Sequence, residues 1–185
     1  MKKSVFRKTM ENLTWFLASA TAVLIVVYWQ TRADWVLSCA ISFGTTFYHF
    51  AMRLLVGLLV PLCVRKYNHS NWWFRPRKWE NSLYHKLKVR KWKKNLPTFD
   101  PSQFSTQTNT LPQIVQNMCQ AELVHVVIVI FSFVPLAFIP ILGAFWVFLI
   151  TSLASALLDC VFIFAQRYNR PRLVRIIEKG STHHA

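Results

Sequence analysis

The sequence is poor in negative charge, with 7 Asp and Glu residues against 22 Lys and Arg residues and a formal net charge of +15. Charged residues of both signs make up only 16% of the chain, whereas a soluble domain usually carries about 25%. Cysteine is also sparse, and four irregularly spaced cysteines exclude a small secreted disulfide scaffold. The chain is nevertheless rich in aromatic residues, with 8 Trp, 5 Tyr and 15 Phe, which excludes intrinsic disorder.

Several signatures of known chemistry are missing as well. There is no phosphate-binding glycine loop, no Gly-x-Ser-x-Gly and no His-x-x-x-x-Asp motif. A single Glu-x-x-His pair is present, Glu122 and His125, but a di-iron site needs a second copy and further carboxylates. The cysteines lack metal-ligand spacing, and the clustered histidines of a membrane desaturase are absent. We therefore expect no metal site and no bound cofactor.

The main positive feature of the sequence is a set of four long apolar runs. A helix needs about 20 apolar residues to cross a hydrocarbon core about 30 Å thick. Runs of this kind cover about residues 13–29, 35–64, 123–139 and 141–165. The alternative interpretation, the buried core of a soluble helical protein, leaves too little polar surface to solvate a globule. The sequence predicts an all-α polytopic protein with four transmembrane helices, forming a single membrane domain over residues 1–185.

The distribution of positive charge predicts the orientation. Basic residues precede the first span and are concentrated in segment 65–112 and in the tail 166–185, whereas the short connections hold only Arg32, close to Asp34. Loops rich in Lys and Arg stay in the cytoplasm. We expect a multi-pass protein of the cell membrane with both termini and the central segment in the cytoplasm. The first run is longer than the apolar core of a usual signal peptide, so we interpret it as a retained helix.

The central segment between the second and third spans contains an amphipathic stretch. Its apolar line contains Trp79, Leu83 and Leu87 at a spacing of four residues, and the basic residue Lys91 continues the same spacing. This spacing predicts a helix that lies in the membrane interface, with its basic face toward anionic lipid headgroups. The same bases could hold a phosphorylated or coenzyme-A-like donor. They could also bind nucleic acid, but no nucleic-acid-binding motif accompanies them, so we expect no such partner.

Ionisable side chains inside the predicted spans are costly and indicate candidate functional sites. His49 and Arg53 share one face of the second span, and Asp159 lies in the fourth. Glu122 and His125 share a face at the start of the third span. We expect these five residues to converge on one polar pocket in the cytoplasmic leaflet. A structural ion pair that fixes helix register explains Arg53 and Asp159 equally well.

The pair of His125 and Glu122 is the predicted catalytic pair. A histidine beside a carboxylate can remove a proton from a hydroxyl group, which acyl transfer to an alcohol requires. An arginine can bind a phosphate, a carboxylate or a developing oxyanion. Arg53 or the arginines of residues 167–172 are the candidates for that role. The alternative is that His125 only caps an interface.

Four strings in the chain resemble a known family. The strings are YNHSNWWF, KWENSLYHKLKVRKWKKNLP, QAELVH and QRYNRPRLVR. They are similar to the bacterial glycosyl-4,4'-diaponeurosporenoate acyltransferase family, whose namesake completes the carotenoid staphyloxanthin by esterifying a glucose hydroxyl with a fatty acyl chain. The resemblance covers roughly residues 65–175. It implies a membrane O-acyltransferase that joins a fatty acyl group to a glycosylated membrane lipid, with acyl-CoA, a carrier-bound thioester or a lipid as donor.

The resemblance also implies a set of substrate-binding candidates at the matching positions. They are Trp79, Glu80, Tyr84, Lys93, Gln166, Arg167, Tyr168, Asn169, Arg170 and Arg172. Pro171 is expected to form a turn, because a proline disfavours helix at the residue before it. Two alternatives remain open. One is a non-enzymatic lipid-binding or transport-accessory protein, and the other is a different lipid-modifying enzyme on the same scaffold, acting by methyl transfer or reduction.

Overall fold

The computed structural model describes residues 5–64 and 67–182, which form α-helices and short 3-10 turns without any strand. The following residues lie outside the described ranges: Lys2, Lys3, Arg65, Lys66, His183 and His184. The first four contribute to the predicted charge distribution, and no role is assigned to the two histidines. The all-α class predicted from the sequence is confirmed.

Seven α-helices occur in the described ranges. In chain order they are α1 (Val5–Thr31), α2 (Asp34–Cys63), α3 (Lys78–Lys86), α4 (Val89–Trp92), α5 (Leu111–Phe131), α6 (Ile139–Leu142) and α7 (Phe145–Thr182). Four stretches are long and apolar enough to cross a membrane, namely Val5–Thr31, Asp34–Cys63, Leu111–Leu142 and Phe145–Lys179. The prediction of four helices able to span a bilayer is confirmed.

The third and fourth long helices extend beyond the apolar runs. Helix α5 begins at Leu111, well before the apolar run that starts near residue 123. Its first turns bury Ile114, Val115 and Met118, so this part packs on protein. A hydropathy window detects the membrane-length part of such a helix but not its amphipathic extension.

Helix α7 continues through Pro171 to Thr182, so the turn predicted at this proline is wrong. Pro171 has no N–H group to donate to the carbonyl of Arg167, which removes one helical hydrogen bond. Arg167 and Arg170 on the same turns are held by buried ion pairs. We attribute the continuity of the helix to these contacts, because breaking one of the buried ion pairs would leave a charge without compensation.

The central segment forms two short helices where the sequence predicted one. Helix α3 ends at Lys86, and Lys88 then adopts a left-handed conformation with φ of 51° before α4 begins at Val89. The buried face of α3 carries Glu80 and Tyr84. Trp79, on the predicted apolar line, is 58% exposed. A spacing of four residues therefore located the helix, but it did not identify the face that packs on the protein.

The chain divides into two compact units. Within the described residues, unit 1 comprises the chain up to Leu58 together with Val127–Asp159, and unit 2 comprises Leu59–Val126 and the chain from Cys160 onward. In unit 1, α1 and α2 approach closely at Gly44, where a Cβ atom would lie 3.3 Å from the Thr21 methyl group.

Unit 2 has a separate apolar core. Tyr67, Phe74 and Cys119 are buried at its centre, and Val64, Trp73 and Leu123 pack around them. Phe74 belongs to the YNHSNWWF string, and Cys119 immediately precedes QAELVH. The core of unit 2 is thus built from residues in or next to strings that carry the family resemblance.

Candidate functional site

Four ionised side chains meet in unit 2. Glu80 comes from α3, Glu122 from α5, and Arg167 and Arg170 from α7. Glu122 is 0% exposed, and Glu80 and Arg170 are each 2% exposed. Two carboxylates face two guanidinium groups, so the buried charge is balanced, which is the condition under which charges can be buried at all. We call these four residues the ion cluster.

Glu122 accepts hydrogen bonds from both arginines of the ion cluster. Arg167 Nη1 donates to its Oε1 atom at 2.8 Å, and Arg170 Nη1 donates to its Oε2 atom. Arg167 also donates to Glu80 Oε1 through Nη2 at 2.7 Å and through Nε at 3.2 Å. Arg167 therefore bridges the two carboxylates, and Glu122 fixes the positions of both guanidinium groups.

Backbone carbonyls complete the coordination of the two arginines. Arg170 Nη2 donates to the carbonyl of Phe74 at 2.6 Å, and the guanidinium carbon lies 5.0 Å from the centroid of the Phe74 ring. Arg167 Nη2 approaches the carbonyl of Arg75 at 3.4 Å. These bonds tie the YNHSNWWF string and the residue that follows it to α7, and the bond to Phe74 satisfies a donor of the buried Arg170.

Tyr84 closes the other side of the ion cluster. Its hydroxyl donates to Glu80 Oε2 at 3.1 Å, so both oxygens of Glu80 are engaged. Burial, reinforced by the Glu80 carboxylate, raises the pKa of Tyr84, which keeps the hydroxyl a donor. The ring makes edge-to-face contacts with Phe164 and Tyr168 of α7, at centroid distances of 6.3 and 5.6 Å.

A second group of side chains, which we call the Tyr168 cluster, comprises Lys93, Tyr168, Asn169 and Arg172. Lys93 Nζ lies 4.6 Å from the centroid of the Tyr168 ring and donates to Asn169 Oδ1. The guanidinium carbon of Arg172 lies 4.2 Å from the same centroid, and its Nη2 donates to the Tyr168 hydroxyl at 2.6 Å. Two cations thus share one aromatic ring.

His125 lies in α5, one turn after Glu122, and is half-buried. Its ring stacks on Phe162 of α7, with the centroids 4.8 Å apart and the planes inclined by 7°. The stacking fixes the plane of the imidazole. Both oxygens of Glu122 receive guanidinium hydrogen bonds, so the assignment of His125 and Glu122 as a catalytic pair stays a prediction. Gln166 is half-buried in α7.

The ionisable residues in the membrane-length helices of unit 1 form a polar network around Arg53. Its Nη2 and Nε atoms donate to Asp159 Oδ2 at 2.7 and 3.1 Å. Further bonds reach the Ser155 hydroxyl at 2.8 Å and the carbonyl of His49 at 3.1 Å. The hydroxyls of Ser155 and Ser132 are 2.8 Å apart. Arg53 and Asp159 therefore form the ion pair that the sequence offered as one of two explanations.

His49 is buried in α2 of unit 1 and is 4% exposed. Neither of its ring nitrogens hydrogen-bonds to another residue within the described ranges. The ring contacts Tyr48 edge-on at a centroid distance of 5.4 Å. The convergence of His49, Arg53 and Asp159 with Glu122 and His125 on one pocket stays a prediction.

Some hydrogen-bond partners of the buried arginines were not predicted from the sequence. Ser155 lies four residues before Asp159, so an i, i+4 rule applied to the fourth span would have placed both on one helix face. The carbonyl of Phe74 carries no side-chain signal and could not have been found in this way. Within residues 5–64 and 67–182, no group of three or more His, Cys, Asp and Glu side chains is placed to hold a metal ion.

Four helices of membrane-spanning length and a buried, charge-balanced ion cluster define the chain as an α-helical membrane protein with a polar centre in unit 2. The family model for glycosyl-4,4'-diaponeurosporenoate acyltransferase matches residues 70–179, which is more than half of the chain. The chain belongs to this acyltransferase family, as its sequence strings predict. No curated protein and no solved structure gives a match.

Proposed function

We propose that this protein is an integral membrane O-acyltransferase that esterifies a hydroxyl of a glycosylated lipid with a fatty acyl group. The proposal rests on where the buried charges lie along the chain. All four residues of the ion cluster, and His125 one helical turn from Glu122, lie inside the segment that matches the family. A buried cluster of charges is costly to maintain, so its location within the family segment favours a role in the family's reaction.

The proposed reaction is a direct acyl transfer. The acceptor hydroxyl oxygen forms a bond to the acyl carbonyl carbon, and the bond from that carbon to the donor's sulfur or oxygen breaks. His125 removes the hydroxyl proton and returns it to the leaving group, so the histidine is regenerated. The half-buried position of its ring in the family segment supports this role.

A guanidinium group at the edge of the ion cluster can donate a hydrogen bond to the oxyanion that develops on the acyl carbonyl. The Arg167 side chain is 13% exposed and that of Arg170 only 3%, so we assign the contact with substrate to Arg167. Glu122 is then a positioning residue, because it holds both guanidinium groups in place. Gln166 and Asn169 can exchange hydrogen bonds with sugar hydroxyls, and we place them on the acceptor side.

The orientation that we propose for the chain fits a cytoplasmic donor. With both termini and segment 65–112 in the cytoplasm, the basic central segment would meet a thioester that is made there. Trp79 and Leu87 are 58% and 43% exposed, and we propose that both contact the membrane interface. The pair of Arg53 and Asp159 in unit 1 serves to fix helix register within the bilayer.

The proposal is tested by lipid analysis of cells with and without the protein. Cells that lack it should lose one acylated lipid and accumulate the same lipid with a free hydroxyl. Complementation with His125→Ala should restore membrane insertion but reduce turnover by about a hundredfold or more, the contribution expected of a general base. His85→Ala, which changes an exposed histidine of α3 within the family segment, is the matched control and should restore turnover fully.

Two results would contradict the proposal at different levels. Normal turnover by the His125→Ala variant would remove the assignment of the base and leave acyl transfer standing. A lipid profile without any change in a matched pair of acylated and free-hydroxyl lipids would instead indicate an accessory, non-enzymatic protein.

A further inference from the structure

We propose that the Tyr168 cluster is a binding site for a phosphate group carried by the acyl donor. The inference rests on the proposed acyl transfer, because it names the chemical class of the donor for that reaction. The site consists of Lys93, Tyr168, Asn169 and Arg172, all within unit 2 and within the family segment.

The first observation is an imbalance of charge. In the ion cluster each arginine is paired with a carboxylate, at distances of 2.7 and 2.8 Å for Arg167. In the part of the chain that the structure describes, no carboxylate lies within ion-pair distance of Lys93 or Arg172. Two cations gathered at one ring without a counterion repel each other, and an anion bound between them would remove that cost.

The protonation behaviour of Lys93 supports the same interpretation. Burial and three neighbouring cations, Arg172, Lys94 and Arg90, lower the pKa of Lys93. The lysine therefore lies among positive charges that no carboxylate of the described residues neutralises. A phosphate group would supply two or three oxygens for the lysine and for the fork of the arginine.

The second observation is that both cations are held in place. Asn169 Oδ1 accepts from Lys93 Nζ, and the Tyr168 hydroxyl accepts from Arg172 Nη2 at 2.6 Å. The Tyr168 ring in turn contacts Tyr84, whose hydroxyl donates a hydrogen bond to Glu80 of the ion cluster. Cations fixed before the ligand arrives lose little side-chain entropy on binding, which favours a specific site over diffuse attraction.

The position of the Tyr168 cluster along α7 suits a donor whose phosphate is remote from its acyl group. Tyr168 follows Phe162, the ring on which His125 stacks, by six residues. At a rise of 1.5 Å per residue, this corresponds to about 9 Å along the helix. A thioester of the coenzyme A type carries its phosphates at the far end of the pantetheine arm. A phospholipid donor offers the same phosphate chemistry from the bilayer, so the two sources require separate measurements.

The experiment measures binding without turnover. The purified full-length protein is placed in nanodiscs of phosphatidylcholine and titrated calorimetrically with coenzyme A, and with pantetheine as the analogue without phosphate. The test variant is Lys93→Gln with Arg172→Gln. The matched control is Lys78→Gln with Lys86→Gln, which removes the same charge from exposed positions of α3. Thermal unfolding of both variants verifies that each is folded.

We expect wild type and control to bind coenzyme A, and the test variant to bind it about tenfold more weakly or worse, since two charge-assisted contacts are lost. Pantetheine should bind all three proteins equally. Discs that contain phosphatidylglycerol provide the second arm. The phosphate would be assigned to a phospholipid donor by two results together. Wild type and control would prefer phosphatidylglycerol while the test variant does not, and none of the three proteins would bind coenzyme A.

Other outcomes overturn the inference. Equal weakening in the test and control variants would show that only diffuse electrostatic attraction operates, and unaltered binding by the test variant would exclude these residues. Neither result depends on acyl transfer, which the lipid analysis of whole cells tests separately. The failure of one proposal can therefore be distinguished from the failure of the other.

Discussion

At the scale of single residues, Glu122 is the least exposed of the charged side chains that the structure describes in unit 2. It is 0% exposed and lies between two guanidinium groups. Burying an ion pair contributes little net stability, because each partner must first be desolvated. Removing one partner destabilises the fold strongly, because the remaining charge stays buried without compensation. The chain has only 7 acidic residues, and two of them are used in the ion cluster.

We therefore predict that Glu122→Gln destabilises the protein by about 3–5 kcal/mol, the usual loss when one partner of a buried pair is removed. The substitution keeps the volume of the side chain but leaves Arg170, which is 2% exposed, without a carboxylate. Denaturant unfolding of the purified protein in detergent measures the effect. Glu178→Gln, at an exposed position of α7, should cost less than about 1 kcal/mol. Similar losses in the two variants would show that the ion cluster does not stabilise the fold.

At the scale of elements, the break between α3 and α4 determines how the central segment presents its cations. The chain turns at Lys88, whose φ of 51° lies in the left-handed region that favours glycine. After this turn, Val89 is 0% exposed, and the chain leads directly to Lys93 of the Tyr168 cluster. An uninterrupted helix would have given these residues a different direction, so the strained residue has a structural purpose.

The strain at this break can be measured by substituting glycine. A left-handed conformation costs a residue other than glycine roughly 1–2 kcal/mol, so Lys88→Gly should stabilise the protein by about 1 kcal/mol. Lys86→Gly removes the same charge from the last turn of α3, where a helical conformation is required, and should destabilise it by about 0.5–1 kcal/mol. Denaturant midpoints of both variants give the comparison. Equal shifts in one direction would contradict the role of the left-handed turn.

At the scale of the whole molecule, the sequence sufficed for the spans and offered the ion pair of Arg53 and Asp159, but it did not give the pairings within the ion cluster. Apolar runs are a local property, and the four membrane-length helices could be predicted from them. The sequence also pointed to Glu80, Glu122, Arg167 and Arg170 individually. Their pairings join positions 87 and 45 residues apart, and no spacing rule predicts contacts at such separations. The pairing inferred from proximity in sequence, His125 with Glu122, is the one that the structure leaves untested.

Orientation in the membrane is the property of the whole chain that most directly limits the donor. Segment 65–112 carries half of the chain's 22 Lys and Arg residues, and the connection around Gly143 carries none. The positive-inside rule therefore predicts that the central segment lies in the cytoplasm and that the α1–α2 and α6–α7 connections lie outside. A thioester made in the cytoplasm could reach the Tyr168 cluster only in this orientation.

Single cysteines introduced into a cysteine-free chain test the orientation. The native cysteines to be replaced by alanine are Cys39, Cys63, Cys119 and Cys160, and none of them forms a disulfide with another described residue. An impermeant maleimide should label Ala33→Cys and Ala144→Cys in intact cells, and should label Gln107→Cys only after the membrane is permeabilised. Gln107 is exposed, so poor access within the fold does not limit its reaction. Labelling of Gln107→Cys in intact cells would show that the topology is the opposite of the predicted one. The Tyr168 cluster would then be out of reach of a cytoplasmic thioester, and a phospholipid would become the favoured source of its phosphate.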